Sequence, residues 1–365
     1  MRSAVDPADA QAAVDAVAAA GLDRSRWAPP AAPLDDRSWS AVWALVRNRR
    51  LVGLLAAAAA SETWPLTDDQ HDAVHAAHRQ ALAACLLLER LALDLHAALD
   101  AAAIEHRLLK GPAHAHLLYP DPSMRTFVDV DLLVPGAALA SAAALLAERG
   151  GRRRFPEPRP GFDRRFTKGA SFTLTGGWEI DLHRTLTPGP FGLALDPQVL
   201  LARRDRLQLA GIWIDVLDPA GRALHAALHA VLGSPEPNPV ALRDLAQAIE
   251  VGLDAGELID LAESQGAGAP LAVAIDLLVD RFGWEPPPQL RAWRARRAPS
   301  GRERRWLRSY AGAGASVRKA LVATEAVRGL PAKAAYLRAV VWPADPGADR
   351  STADRWRRGV ASLRR

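Results

Sequence analysis

Cysteine is nearly absent. Cys85 is the only one among 365 residues, which excludes an intrachain disulfide and any zinc site built on several thiolates. Methionine and tyrosine are scarce, and aromatic residues reach only 6%. Long apolar runs are missing as well. The longest clean stretch, Leu51 to Ala60, falls far short of the roughly 20 residues that cross a bilayer, so no membrane span is expected. Residues Met1 to Gly21 lack the basic segment and apolar run of a secretory signal. With the lone cysteine, this makes a cytoplasmic protein the expectation. No internal repeat occurs at solenoid periods.

What is present is hydrophobic content of 49%, too much for a disordered chain. Alanine dominates it, and alanine is the strongest helix former. A largely helical protein of two or three domains is expected at this length. The net charge of +5 is unevenly spread: residues 291–365 carry 19 Lys/Arg against 5 Asp/Glu, a net of +14, which leaves −9 for the rest. Such a basic end suits RNA, a phosphate-rich substrate, an acidic surface or simply a solvated helical face. Trp293, Trp306 and Trp356 lie among its arginines, a pattern compatible with base stacking and with helix packing.

Residues 1–103 read as helices, broken at Pro29, Pro30 and Pro33. Over 68–100, apolar residues recur at steps of three and four, as in one long amphipathic helix or a bent pair. The character changes near Ile104. The run from His106 to Lys110 reads as a short buried strand ending at Gly111, and Pro112 suits the first turn of a helix. Phe127 to Val134 reads as a second strand and Ala137 to Arg149 as a helix. Residues 152–168 form an Arg-, Pro- and Gly-rich loop. Ser171–Thr175 and Trp178–His183 read as a hairpin across Gly176-Gly177. The expected division is a core over 104–190, a helical domain over 191–290 and a basic helical region over 291–365.

In a strand, residues two apart share a face. Asp129 and Asp131 therefore project together while Val128, Val130 and Leu132 face away. Two carboxylates in an apolar strand are costly to bury without a partner, and a divalent ion such as Mg²⁺ is the natural one. The alternation returns in Glu179, Asp181 and His183. A hairpin beside the first strand would deliver Asp181 as a third carboxylate, and three can clamp two ions. Lys110 and Gly111 end a strand before a helix, where backbone N–H groups and a point charge can meet phosphate. Arg125 could do the same. Arg164 and Arg165, in the basic loop, could bind an anionic acceptor or close over a nucleotide. His71, His75 and His78 share a helical face, as do His225 and His229. Neither group has the His-Glu-x-x-His pattern, and packing is expected for both, as it is for His114 and His116.

The run Leu109-Lys110-Gly111, then Leu118-Tyr119-Pro120-Asp121-Pro122, Arg125, Asp129-Val130-Asp131-Leu132-Leu133-Val134 and Glu179-Ile180-Asp181-Leu182-His183 resembles a bacterial nucleotidyltransferase family within the polymerase-β-like superfamily. The resemblance is strongest over 105–187 and extends more weakly through the helices bearing His225, His229 and Asp244. It implies an α+β, predominantly helical protein whose small polymerase-β-like α/β core is flanked by helical regions. It implies that Asp129 and Asp131 are paired ligands for Mg²⁺ or Mn²⁺, with Asp181 as third carboxylate and either the base or a base-orienting group. On the reading of the residues themselves, Lys110, Gly111 and Arg125 would serve a nucleoside triphosphate, with Glu179, His183, Arg164 and Arg165 as substrate-loop or accessory residues. The superfamily usually places Gly-Ser at the first turn, where this chain has Lys110-Gly111-Pro112. The implied reaction moves a nucleoside monophosphate to a hydroxyl or amine acceptor, which could be a small molecule, peptide, protein or RNA. Two alternatives stay open: a transferase using a nucleotide-sugar donor, and an inactive nucleotide-binding module.

Overall fold

The computed structural model describes residues 7–26, 28–311, 315–342 and 344. Four helices open it: α1 (Pro7–Ala19), α2 (Asp36–Asn48), α3 (Val52–Ala60) and α4 (Asp68–Ala101). The apolar spacing over 68–100 produces one 34-residue helix. Thr67 and Gln70 start it with a reciprocal capping box, each side chain accepting the other's backbone N–H.

Then follow β1 (Arg107–Leu108), α5 (Lys110–Leu118), β2 (Asp129–Leu133), α6 (Leu139–Glu148), β3 (Arg152–Arg153), α7 (Asp163–Phe166), β4 (Gly169–Thr173) and β5 (Glu179–His183). This is the expected strand–helix–strand–helix–loop–hairpin order, with a short strand and a helical turn inside the basic loop. The β4–β5 turn places Gly176 and Gly177 at φ 92° and 86°, values glycine reaches without steric cost.

The sheet extends past residue 190, where a helical domain was expected. After α8 (Gly189–Ala194) and α9 (Pro197–Ala202) comes a second hairpin, β6 (Arg204–Leu209) and β7 (Ile212–Leu217). β7 pairs parallel with β1, giving seven strands in the order β3-β4-β5-β2-β1-β7-β6. The alternation is in the sequence, since Leu207, Leu209, Ile214 and Val216 are buried. The turn hides it: Ala210 and Gly211 sit at φ 47° and 83°, and an alanine at positive φ is not the Asn-Gly or Asp-Gly signal of such turns.

Helices make up the rest of the described residues: α10 (Pro219–Leu232), α11 (Pro239–Glu250), α12 (Ala255–Ser264), α13 (Gly268–Phe282), α14 (Pro288–Arg296), α15 (Gly301–Arg308), α16 (Ala315–Ala323) and α17 (Leu330–Val341). In the basic end, arginines pair within the chain: Arg294 with Asp276, Arg297 with Glu263 and Glu303, Arg305 with Glu325. Trp306 is buried edge-on against Phe191, and the Trp293 indole donates to Glu263. These two tryptophans pack, as the blander expectation had it; Trp356 lies outside the described residues. No helix among the described residues is long and apolar enough to cross a membrane.

The two sheet faces differ. Val130, Leu132, Ile180 and Leu182 point into one core with Cys85, Leu88, Leu95 and Leu99 of α4 and Leu139, Ala142 and Leu146 of α6. The opposite face of β2 and β5 carries the acidic residues, beneath α10.

Candidate active site

β2 and β5 run parallel, and their register opposes Asp129 to Glu179, Asp131 to Asp181 and Leu133 to His183. Asp131 and Asp181 are thus cross-strand neighbours on one face, as strand alternation requires. Asp131 is 1% exposed. His183 Nε2 donates to its Oδ1 at 2.6 Å, and Lys110 Nζ lies 2.7 Å from its Oδ2 as an ion pair. That Oδ2 has no hydrogen-bond partner of regular geometry. Burial pushes the Asp131 carboxyl up, but the Lys110 charge and the His183 hydrogen bond outweigh it and hold it well below the usual carboxylate range. Asp129 moves the other way: burial and the like charge of Asp131 raise it. The Asp181 side chain is 30% exposed, with Oδ2 3.9 Å from His183.

The Lys110 turn has the geometry glycine permits. Gly111 takes φ 42° and ψ −118°, a conformation that costs an ordinary residue about 1–3 kcal/mol. It breaks the helical path, so Lys110 turns back toward β2. Burial lowers the Lys110 pKa, but Asp131 and then Asp129 more than offset this and raise it.

Four participants escape sequence reasoning. Lys168, the last residue before β4, feels the charges of Lys110, Asp131, Asp181 and Asp129, and burial together with Lys110 lowers its pKa. Its ammonium has no hydrogen bond or ion pair among the described residues. Arg50, exposed between α2 and α3, pulls Asp129 down electrostatically. From α10, the buried His225 ring lies 6.3 Å from His183 and 6.4 Å from His114. His229, one turn on, is driven well below its ordinary value by burial and then by Lys110 and Lys168. No local motif ties Arg50 or Lys168 to the carboxylates, and the shared helical face of His225 and His229 pointed to packing; the three places lie far apart in the chain.

Arg125 belongs elsewhere. It is buried, and Nε and Nη2 donate to Asp244 Oδ1 and Oδ2 at 2.9 and 3.0 Å, while Nη1 donates to the Thr126 carbonyl. With its fork spent on Asp244, it has no face left for a phosphate, which corrects the expectation. Glu179 pairs with Arg154 at 2.7 Å. Arg164 and Arg165 are exposed on α7, the Arg165 guanidinium 4.7 Å from the Phe166 ring centre. Neither touches the carboxylates.

A model of a family described as uncharacterised nucleotidyltransferase matches residues 35–283. The chain belongs to this family. The match spans α2 to α13, so it takes in the sheet, the acidic face and α10 above it. No curated protein matches the chain. The solved structures similar to the chain include two nucleotidyltransferase-related proteins. An antigenic nucleotidyltransferase-like protein from Paracoccidioides brasiliensis has 18% identity, covering 60% of this chain and 95% of its own, with a TM-score of 0.35. The antibiotic-resistance factor ANT(2'')-Ia has 16% identity, covering 48% and 89%, also with a TM-score of 0.35.

The acidic face of this nucleotidyltransferase fits a divalent ion. Ligand atoms of Asp131, Asp181 and His183 lie within 4.8 Å of one another. The Asp129 carboxylate has no hydrogen bond or ion pair among the described residues, and Asp131 Oδ2 lacks a regular hydrogen bond. An oxygen-rich set of this kind suits Mg²⁺. The near nitrogen of His183 is spent on Asp131.

Proposed function

We propose that this nucleotidyltransferase moves a nucleoside monophosphate from a nucleoside triphosphate to a hydroxyl or amine acceptor, with Asp129, Asp131 and Asp181 holding the Mg²⁺ or Mn²⁺ it uses. One observation carries the reading: Asp131 and Asp181 stand in register on parallel strands, with Asp129 beside them and three cationic side chains within electrostatic reach. The acceptor atom bonds to the α-phosphorus, the bond from that phosphorus to the bridging oxygen breaks, and pyrophosphate leaves with that oxygen. The acceptor proton passes to Asp181, whose partial exposure opens it to an incoming group. The divalent ion, when bound, supplies charge neutralisation at the phosphates. Lys110 and Lys168 hold the triphosphate from the sheet side and Arg50 from the solvent side. His183 keeps Asp131 oriented. Gly111 lets the backbone turn so that Lys110 reaches both Asp131 and the phosphates.

The test is donor turnover. Pure protein is incubated with each α-labelled nucleoside triphosphate, Mg²⁺ or Mn²⁺, and cell extract as acceptor pool, beside an Asp129→Ala/Asp131→Ala control. Label transfer absent from the control supports the proposal and gives the acceptor's size class. Carboxylate-dependent nucleotide binding without transfer from any nucleotide overturns it in favour of the nucleotide-sugar or inactive reading.

Lys168→Ala is expected to raise the KM for the nucleotide about tenfold to a hundredfold, the worth of a hydrogen bond to a charged group, with a smaller change in kcat. Steady-state kinetics against nucleotide concentration measures this. An unchanged KM removes Lys168 from phosphate binding.

A further inference from the structure

At the other end of β1 from Lys110, a second cluster of ligand-type side chains lies outside the site described above. His96 and Asp100 are one turn apart on the last turns of α4, and His106 immediately precedes β1. His106 is 5% exposed. Its Nδ1 donates to the Ile104 carbonyl at 2.9 Å, which leaves the Nε2 lone pair of the neutral ring pointing at His96 Nδ1, 2.8 Å away. Fixing one imidazole nitrogen on a backbone carbonyl so that the other faces a partner is how metal-binding histidines are oriented. One ligand atom each from His96, Asp100 and His106 falls within 4.8 Å of the other two. The cluster lines a cavity of about 290 Å³.

The charges around this cavity are sorted. Arg107 pairs with Glu105 at 2.8 Å and approaches Asp215 at 3.8 Å. Arg204 and Arg206 reach Asp215 at 3.4 and 3.3 Å. The arginines are thus drawn to two of the three carboxylates. The third, Asp100, has no arginine partner among the described residues and lies 3.5 Å from His96 Nε2 and 4.0 Å from His106 Nδ1.

We propose that His96, Asp100 and His106 form a second cation site, for an ion of the Zn²⁺ class, with water completing the coordination. Two imidazoles and one carboxylate are a borderline-soft set, unlike the oxygen-rich Asp129, Asp131 and Asp181 group. Zn–N bonds of about 2.0–2.1 Å require the two nitrogens to open by roughly half an ångström, and His96, on the cavity side, has room to move. An ion here ties the end of α4 to the strand that leads into Lys110.

The experiment is Zn²⁺ titration of the untagged full chain by calorimetry, with Co²⁺ absorption as the readout of coordination and thermal unfolding with and without Zn²⁺. Wild type, His96→Gln, Asp100→Asn, His106→Ala and Asp131→Asn are compared. Expected is one Zn²⁺ equivalent that persists in Asp131→Asn, weakens about tenfold to a hundredfold or more in His96→Gln, and raises the wild-type Tm but not that of His96→Gln. His106→Ala removes a buried side chain and can unfold for that reason; His96→Gln and Asp100→Asn, on the more exposed side, keep the test decisive. Zn²⁺ binding lost only in Asp131→Asn, or unchanged in both His96→Gln and Asp100→Asn, overturns the proposal.

Discussion

Asp131→Asn is expected to lower nucleotidyl transfer about a thousandfold, the scale on which a preorganised charge at a reacting centre acts. The amide is isosteric and its oxygen still accepts from His183, so the loss isolates the charge. That charge also matters for stability. Lys110 is buried against Asp131 at 2.7 Å, and removing one partner of a buried pair leaves the other uncompensated. The variant should therefore lose both activity and stability. Asp181→Asn separates the two effects. Its side chain is 30% exposed, so stability should change by no more than about 0.5 kcal/mol, as at surface positions, while kcat falls. Label-transfer rates and thermal unfolding of both variants check this. Transfer by Asp131→Asn above about a tenth of wild type, on the scale just given, would remove Asp131 from the catalytic set.

The carboxylate face was legible because strand alternation is a local signal. Asp129-Val130-Asp131 and Glu179-Ile180-Asp181-Leu182-His183 each announce a polar and an apolar face, and the observed register brings them side by side. The long helix α4 was legible for the same reason, at helical period. What surrounds the carboxylates was not. Arg50, Lys168 and the His225–His229 pair of α10 come from three places separated by scores of residues, and the shared helical face of the two histidines reads equally well as packing. Arg125 misled because it lies four residues before Asp129, whereas its partner is 119 positions away. The β6–β7 hairpin was lost to an Ala-Gly turn that lacks the usual residues. His96 and His106 share no helix face or strand face, so only the packing of α4 on β1 reveals their meeting.

Asp244→Asn is expected to destabilise the chain by about 3–5 kcal/mol, the cost of breaking a buried ion pair on one side. Asp244 on α11 is 1% exposed. Its Oδ1 accepts from Tyr119 Oη at 2.7 Å and Arg125 Nε at 2.9 Å; its Oδ2 accepts from Arg125 Nη2 and His114 Nδ1, both at 3.0 Å. Three segments around the candidate site thus converge on one carboxylate: α5 through His114, the turn after it through Tyr119, and the approach to β2 through Arg125. An amide cannot accept four donors, and it leaves the Arg125 guanidinium buried without its counter-charge. Burial raises the Asp244 carboxyl, but Arg125 and then His114 overcome this and hold it far below the ordinary carboxylate range. The sign follows from linkage: a depressed folded pKa contributes stability that is fully present above the unfolded value and disappears as pH falls through the folded one. The contribution should therefore be constant through neutral pH and fade only in strong acid. Denaturant unfolding at neutral pH measures the loss, against a total that for a typical domain is about 5–15 kcal/mol. A double-mutant cycle with Arg125→Met tests the cause. The double variant should cost less than the two single losses added together, since removing both charges leaves neither stranded. Additive losses, or a single-variant loss under about 1 kcal/mol, typical of a neutral hydrogen bond, would mean that Asp244 does not hold these three segments together.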